Sequence, residues 1–355
     1  MTLVLYHQDY GYYSKSETDQ IGRRGDFITS VSVGDLFGTL LSHRIESLLQ
    51  SDPEARAPFA IIEQGGHDGQ LAIDICRGLE ERGIFVSASE EKSDREGRRA
   101  IQYRLIEPRP RSRERLRERF EKIGLPIEAY ASAAEARCER GVFLCNELLD
   151  AFPCHRIESD GQRWWEIGVA SSTDGRPFTK TLIEPSEELS KALAQNCGGL
   201  PDAASLPGGY ETELCLEVVD WIGPVADLFE RGEWWIIDYG HEAGAYFDEA
   251  RKEGTIRGYR QHEAIDDPLQ SPGQLDITSH VNWTLLIGAA RQAGLEFLNL
   301  EDQHHFLIEA AKPWLAELDG RPPDQATQKL LRQFQTLTHP QMMGRQFQVA
   351  SFRKG

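Results

Sequence analysis

The sequence predicts an α/β protein built on a mostly parallel sheet with helices on both faces. Two observations carry that prediction. Apolar runs of strand length alternate with segments of helical periodicity, the pattern left by β-α-β crossovers. The first such run, "PFAIIEQ" (58–64), ends in a glycine-rich turn and passes directly into the amphipathic segment "DGQLAIDICRGLEERG" (68–83). Strand, glycine turn and helix in that order are how doubly wound sheets seat a ligand. With 355 residues, 40% of them hydrophobic, the chain can build one large α/β domain with insertions or two smaller domains.

The elements follow in order. Residues 34–50 place Leu36, Phe37, Leu40, Leu41, Ile45, Leu48 and Leu49 at helical spacing, and Asp52-Pro53 closes that helix. After the first strand and helix, the polar stretch 87–100 reads as a solvated loop. "IQYRLIEP" (101–108) is a second strand, 110–123 a charged helix, and "GVFLCNE" (141–147) and "RWWEIGVA" (163–170) are further strands. From 171 to 210 the pattern loosens around one short helix at 186–197, and helical spacing returns over 211–230. "EWWIIDYG" (233–240) is a strand ending in glycine, and the long irregular stretch 241–277 suggests a functional loop. Helices at 279–293, 303–317 and 323–336 precede a last strand at 345–352. The expected organisation is an N-terminal helical cap (1–57), a Rossmann-like core (58–170), an insertion on the substrate side (171–230) and the completion of the sheet (231–355).

A formal charge of -18 argues against a nucleic-acid ligand, which would need clustered Lys and Arg, and makes a basic protein segment the more natural partner. Six cysteines are scattered without a C-x-x-C pair, which suits reduced thiols and leads to the expectation of a cytoplasmic protein. "MTLVLYHQDYGYYS" lacks the pattern of a signal peptide, and no apolar run approaches about 18 residues, so no membrane span is expected. The histidines show no H-x-x-x-H or H-E-x-x-H spacing, and no metal is expected.

Three strands end in clusters suited to a ligand beyond the sheet. The first offers Glu63, Gly65, Gly66 and Gly69, the second Glu107 and Pro108, and the strand at 141–147 offers Asn146, Glu147 and Asp150. A nicotinamide cofactor would want G-x-G-x-x-G with pyrophosphate on the helix N-terminus. Here the turn reads G-G-H-D-G, and Asp68 at the helix start would repel a pyrophosphate. S-adenosylmethionine carries a sulfonium and no phosphate, so a carboxylate is acceptable, and Glu107 can accept hydrogen bonds from its ribose hydroxyls. Asp276, Thr278 and His280 form a second polar cluster, although "DITSHVNW" also reads as a helix start capped by Thr278 or Ser279.

The motifs "GYYS" (11–14), "GDFITS" (25–30), "EQGGHDGQLAID" (63–74), "IEP" (106–108), "NELLDAFP" (146–153), "DYG" (238–240), "GTIRGYRQH" (254–262) and "PGQLDITSHVNW" (272–283) succeed one another in this chain. As a set they resemble the MidA-type S-adenosylmethionine-dependent methyltransferases, relatives of the mitochondrial arginine methyltransferase that assists assembly of respiratory complex I. The resemblance runs from about residue 9 to the C-terminus. It implies a class I, Rossmann-like methyltransferase fold with an additional helical region and S-adenosylmethionine as cofactor. It implies cofactor contacts from Glu63, Gly65, Gly66, Gly69, Glu107, Pro108, Asn146 and Glu147, with Gly25, Asp26, Phe27 and Thr29 closing over them. The family turn usually reads E-x-G-P-G-x-G. Here Gly66 and His67 replace its proline and following glycine, and Gly66 is expected to take over the permissive backbone role.

The implied reaction is methylation of a protein, with an arginine side chain as the nucleophile. A guanidinium arrives protonated and needs carboxylates to orient it, for which Glu147, Asp150 and Asp238 are the candidates. Glu147 and Asp150, three apart, would share one face if the chain turned helical after the strand. A respiratory-complex subunit as substrate and a homodimer complete the expected partners. The alternative is a non-catalytic assembly factor that kept the fold, and His67 is the residue that keeps it open.

Overall fold

The computed structural model describes residues 1–14, 29–51, 58–85, 101–171, 178–260, 263–265, 267–318, 320, 322 and 324–355. Contacts divide the chain into two units. One comprises Thr29–Leu148, Pro224–Asp238 and Gly294–Gly355; the other comprises Met1–Ile28, Leu149–Gly223 and Tyr239–Ala293.

The first unit carries a seven-stranded sheet: β1 (Phe59–Gln64), β2 (Ile101–Ile106), β3 (Ile127–Tyr130), β4 (Arg140–Asn146), β5 (Arg231–Asp238), β6 (Glu296–Asp302) and β7 (Gln348–Lys354). The spatial order is β6-β7-β5-β4-β1-β2-β3. Pairing is parallel from β3 through β5, and β7 runs antiparallel between β5 and β6. This is the class I methyltransferase arrangement that the resemblance implied. The strand order reverses between β1 and β4, so the carboxyl ends of those two neighbours form the switch point where ligands bind in such sheets.

The central strands are continuous apolar runs because both of their faces are covered. Ile61 and Ile62 of β1, Val142, Phe143 and Leu144 of β4, and Trp234, Trp235 and Ile236 of β5 are all buried. Trp234 also satisfies its indole N–H on the Val225 carbonyl oxygen at 2.9 Å, so this aromatic pair is core. The helices α1 (Leu36–Ser51), α2 (Gln70–Glu81), α3 (Pro110–Ile123), α4 (Gln303–Leu318) and α5 (Gln325–Thr338) lie close to their expected bounds. The segment "LPIEAYA", not read as a strand, supplies edge strand β3, which pairs with β2 from Ile127 to Tyr130.

The second unit holds a four-stranded antiparallel sheet of residues 155–159, 164–171, 178–183 and 210–214. The strand expected at 163–170 forms, but it pairs here, with Phe178–Ile183 and His155–Ser159, and not in the parallel sheet. Its burial is partial, whereas the central strands β1 and β4 are buried at every residue but their last, a difference that "RWWEIGVA" hides because both kinds of strand read as apolar. The stretch 171–210, which reads as loose, yields an exposed edge strand at Phe178–Ile183 and a helix at Glu187–Ala194 capped by the Ser186 hydroxyl. Leu189, Leu200, Tyr210 and Tyr246 centre this unit's own core. No helix among the described residues is long and apolar enough to cross a membrane.

Candidate cofactor and substrate site

The turn after β1 begins at Glu63, which is 2% exposed and accepts a hydrogen bond from the Tyr103 hydroxyl at 2.6 Å. Burial raises this carboxyl to about 7, against the pull of the Tyr103 bond and with the help of nearby Asp68 and Asp74. Positive φ then occurs at Gly65 (83°), His67 (45°) and Gly69 (82°). Gly66 is not among the positive-φ residues, so the permissive role has not moved to it. His67 itself adopts the left-handed conformation that a glycine usually supplies, and histidine is among the residues that tolerate it. Its ring lies 3.9 Å from Asp68 and is 40% exposed.

Gly66 is needed for a different reason. A Cβ there would lie 2.7 Å from Leu105 Cδ1 and 2.8 Å from Glu63 Oε1. At Gly69 it would meet Phe120 of α3 at 2.6 Å. Both absent side chains thus face the protein interior, and the turn is packed from behind. Asp68 is also not a bare charge: Arg119 Nη1 pairs with it at 2.5 Å. Burial pushes the Asp68 carboxyl up, but His67 and Arg119 outweigh this and hold it at about 2. Repulsion of a pyrophosphate by Asp68 is therefore weaker than the sequence suggests, and the glycine spacing carries that distinction.

At the end of β2, Glu107 is 5% exposed. Its Oε1 accepts from the backbone N–H and Nε of Arg109 at 2.8 and 2.9 Å, and its Oε2 accepts from Arg109 Nη2 at 2.9 Å. Arg113 Nη1 donates to the carbonyl oxygens of Glu107 and Pro108 at 2.7 and 2.8 Å.

At the end of β4, register sets Gln64 opposite Cys145, which brings Asn146 and Glu147 beside the turn after β1. A Cβ on Gly65 would stand 3.0 Å from Leu148 Cδ1. Glu147 is a non-glycine residue at φ 51°. Its N–H donates to Ile237 at 2.9 Å, and its Oε1 accepts from Asn146 Nδ2 at 2.9 Å and from the Ser30 N–H at 3.2 Å. Asn146 Oδ1 is buried and has no hydrogen-bond partner among the described residues. Asp238, fully buried, ends β5 next to this segment, since Asn146 pairs with Ile237. Thr29 spends its hydroxyl on a capping box with Ser32, so Ser30 makes the contact to Glu147. Gly25, Asp26 and Phe27 lie outside the described residues.

Asp150 belongs to the second unit, in a single 3-10 turn at Leu149–Ala151. The chain does not turn helical at Glu147, whose left-handed backbone breaks the continuation, so the expected shared helical face for Glu147 and Asp150 is absent. Asp150 is buried and accepts from the Tyr239 hydroxyl. Burial raises it to about 6, against that bond and the backbone N–H groups of Asp150 and Ala151. Ser279 N–H donates to the Asp150 carbonyl oxygen at 2.9 Å, and Tyr13 donates to Asp276 at 2.7 Å. His280 is pushed down to about 4 by burial, then by His241, Arg251 and Arg257. Asp276–Thr278 is a short strand, and the following helix is capped by Asn282, which accepts from Leu285 N–H. Neither Thr278 nor Ser279 is the cap, because the chain stays extended past both.

The acid at the end of β2, the unsatisfied amide oxygen at the end of β4 and the glycine turn between them match the polar groups of an adenosyl amino acid. The profile of the family described as "Putative S-adenosyl-L-methionine-dependent methyltransferase" matches residues 40–300. The chain belongs to that family. It is 27% identical, over 98% of its length and 78% of theirs, to the mitochondrial protein arginine methyltransferase NDUFAF7 of Rattus norvegicus. The human protein of that name is 26% identical over 98% of this chain and 77% of its own. Among solved structures, a Burkholderia thailandensis protein bound to S-adenosylhomocysteine superposes with a TM-score of 0.81 at 27% identity, covering 99% of this chain and 86% of that one. The MidA-type resemblance and the methyltransferase assignment therefore stand. The cytoplasmic location does not, because these curated relatives are mitochondrial. Reduced cysteines tell reducing from oxidising surroundings and do not separate one reducing compartment from another.

Ser30, Tyr103 and Arg109, which hold Glu147, Glu63 and Glu107, join the candidate site without having been expected from the sequence. Ser30 closes the "GDFITS" motif, and Arg109 stands two residues beyond Glu107, so their neighbours carried a signal. Tyr103 lies mid-strand with none.

Proposed function

We propose that this chain is a protein arginine methyltransferase that binds S-adenosylmethionine at the carboxyl ends of β1, β2 and β4. The observation that carries this reading is Glu147, held at φ 51° with its carboxylate fixed by Asn146 and Ser30, beside an amide oxygen that has no partner among the described residues. A strained, immobilised acid at a ligand-binding strand end is a feature of functional sites. The bound cofactor supplies an electrophilic methyl group. Glu107 accepts the ribose hydroxyls, Asn146 Oδ1 accepts from the amino-acid end, and the backbone of the Gly65–Gly69 turn lies against the ligand.

Glu147 and Asp238 orient the incoming guanidinium through charge-assisted hydrogen bonds and draw off its charge, while the turn and Leu148 exclude water. Asp150, in the other unit, is the third acid, assigned from its motif and tested separately by Asp150→Asn. The region 171–230 serves the substrate side. A respiratory-complex subunit as substrate and a homodimer as the acting species are proposed on the family resemblance alone. The test is transfer of a labelled methyl group to arginine-containing peptides, with the site read by mass spectrometry. Label on lysine, or S-adenosylhomocysteine binding without any transfer, would overturn the arginine reading.

A further inference from the structure

The fork from Arg109 to Glu107 has a consequence for cofactor binding. One guanidinium edge reaches both oxygens of the carboxylate: Nε to Oε1 and Nη2 to Oε2, each at 2.9 Å. A side-by-side approach of that kind takes the outer edge of the group. The two hydroxyls of a ribose, one per oxygen, come to a carboxylate along the same edge, because its other end is bonded to the side chain. The two forks compete. Glu107 is buried, with its side chain 6% exposed, while that of Arg109 is 40% exposed, so the arginine is the partner with room to leave. Arg113 pins the carbonyls of Glu107 and Pro108 independently, so the strand end keeps its shape when Arg109 moves.

We propose that Arg109 is a latch on the ribose end of the cofactor site, which holds Glu107 here and swings out when a ribose diol takes its place. The inference rests on the reading of Glu107 as the ribose acceptor. The latch subtracts from affinity and raises selectivity. A ligand with both hydroxyls replaces both hydrogen bonds that the side-chain fork made, whereas one lacking a hydroxyl replaces only one and leaves the buried carboxylate with one hydrogen bond fewer than the fork gave it. Arg109 is thus a specificity-determining residue for the ribose.

Titration calorimetry with S-adenosylhomocysteine tests this on the full chain and on three variants, at low and high salt. Arg109→Gln is expected to bind about tenfold tighter, the order expected for removing a partly exposed charge-assisted fork. Arg111→Gln, which removes a neighbouring charge without touching Glu107, is expected to match the parent. The parent's affinity is expected to rise with salt, which screens the latch, while that of Arg109→Gln does not rise. Glu107→Gln separates the two ideas. If it leaves binding unchanged, the ribose reading itself fails. If it weakens binding while Arg109→Gln binds no tighter than the parent, the reading stands and the latch is wrong. Should Arg109→Gln not fold, the parent decides: rising affinity with salt supports the latch, and flat or falling affinity overturns it.

Discussion

Two neighbouring strand ends each hold a non-glycine residue in left-handed backbone, and they use it differently. After β1, His67 sits at φ 45° with its ring 40% exposed and its nearest charged partner, Asp68, at 3.9 Å. After β4, Glu147 sits at φ 51°, and both Asn146 and Ser30 donate to its carboxylate. A left-handed non-glycine residue costs on the order of 1 kcal/mol in either place. At Glu147 the surrounding bonds fix the side chain in that conformation. At His67 the turn is held by what lies behind it, namely Leu105, Glu63 and Phe120, and the side chain turns outward to the partly exposed Asp68. Equal strain therefore does not mean equal function; the difference is whether neighbouring groups hold the strained side chain.

The largest effect is expected from attacking the packing behind the turn. Gly66→Val would force a branched side chain to within 2.7 Å of Leu105 and 2.8 Å of the Glu63 carboxylate, more than a packed interior absorbs. S-adenosylhomocysteine binding should fall below detection while far-UV circular dichroism stays that of the parent. Retained affinity would mean that the turn is not held from behind.

Glu63 gives the same idea a pH dependence. Its folded value of about 7 stands above the unfolded value of 4.5, so its contribution to stability is fully present below about 4.5 and is lost as pH rises through about 7. A shift of that size corresponds to about 3 kcal/mol at high pH. Asp74 and Asp150, both raised to about 6, act with the same sign. The Tm of the parent should therefore fall between about pH 5 and 8. Glu63→Gln, which can still accept from Tyr103, should flatten much of that decline. An unchanged slope would show that Glu63 is not the buried acid responsible.

At β4 the expected loss is in catalysis. Glu147→Gln keeps size and acceptor oxygen but removes charge, so cofactor affinity should stay within about threefold while kcat falls by about a hundredfold, in the range for a positioned acid or base. Lost affinity with kcat unchanged would instead place Glu147 among the cofactor contacts alone.

The sequence read these two ends unequally, for physical reasons. The strand-end placement of Glu107, Asn146 and Glu147 was legible because an acid or amide at the end of an apolar run has few uses other than a ligand or a cap. The parallel sheet was legible in the same way, since strands buried on both faces, as in "FAIIEQ", leave unbroken apolar runs. The antiparallel sheet was not: "FTKTLI" is exposed along its length, and nothing in its composition separates it from a loop. The backbone of the turn was misread because φ is not written in residue type. The absence of glycine at 67 suggested a shift to Gly66, whereas a histidine can carry left-handed backbone itself. Arg109 was invisible in another way, since its role depends on a side chain folding back two residues.

The smallest expected effect is the most direct test of the comparison. His67→Gly removes a Cβ from a left-handed position, which relieves strain, and restores full freedom to the unfolded chain, which costs stability; the two nearly offset, leaving a change within about 1 kcal/mol. The ring is 40% exposed, and its partner is the neighbouring Asp68 carboxylate, itself 53% exposed. Affinity for S-adenosylhomocysteine should therefore move by less than about threefold. His67→Val should be worse than His67→Gly, because a β-branched residue resists left-handed backbone far more than histidine does. A large gain in affinity for His67→Gly would mean that the ring occupies ligand space, that this turn has lost its cofactor, and that the strain at 67 matters after all. A large loss would give the imidazole a direct contact with the ligand, and the contrast with Glu147 would disappear.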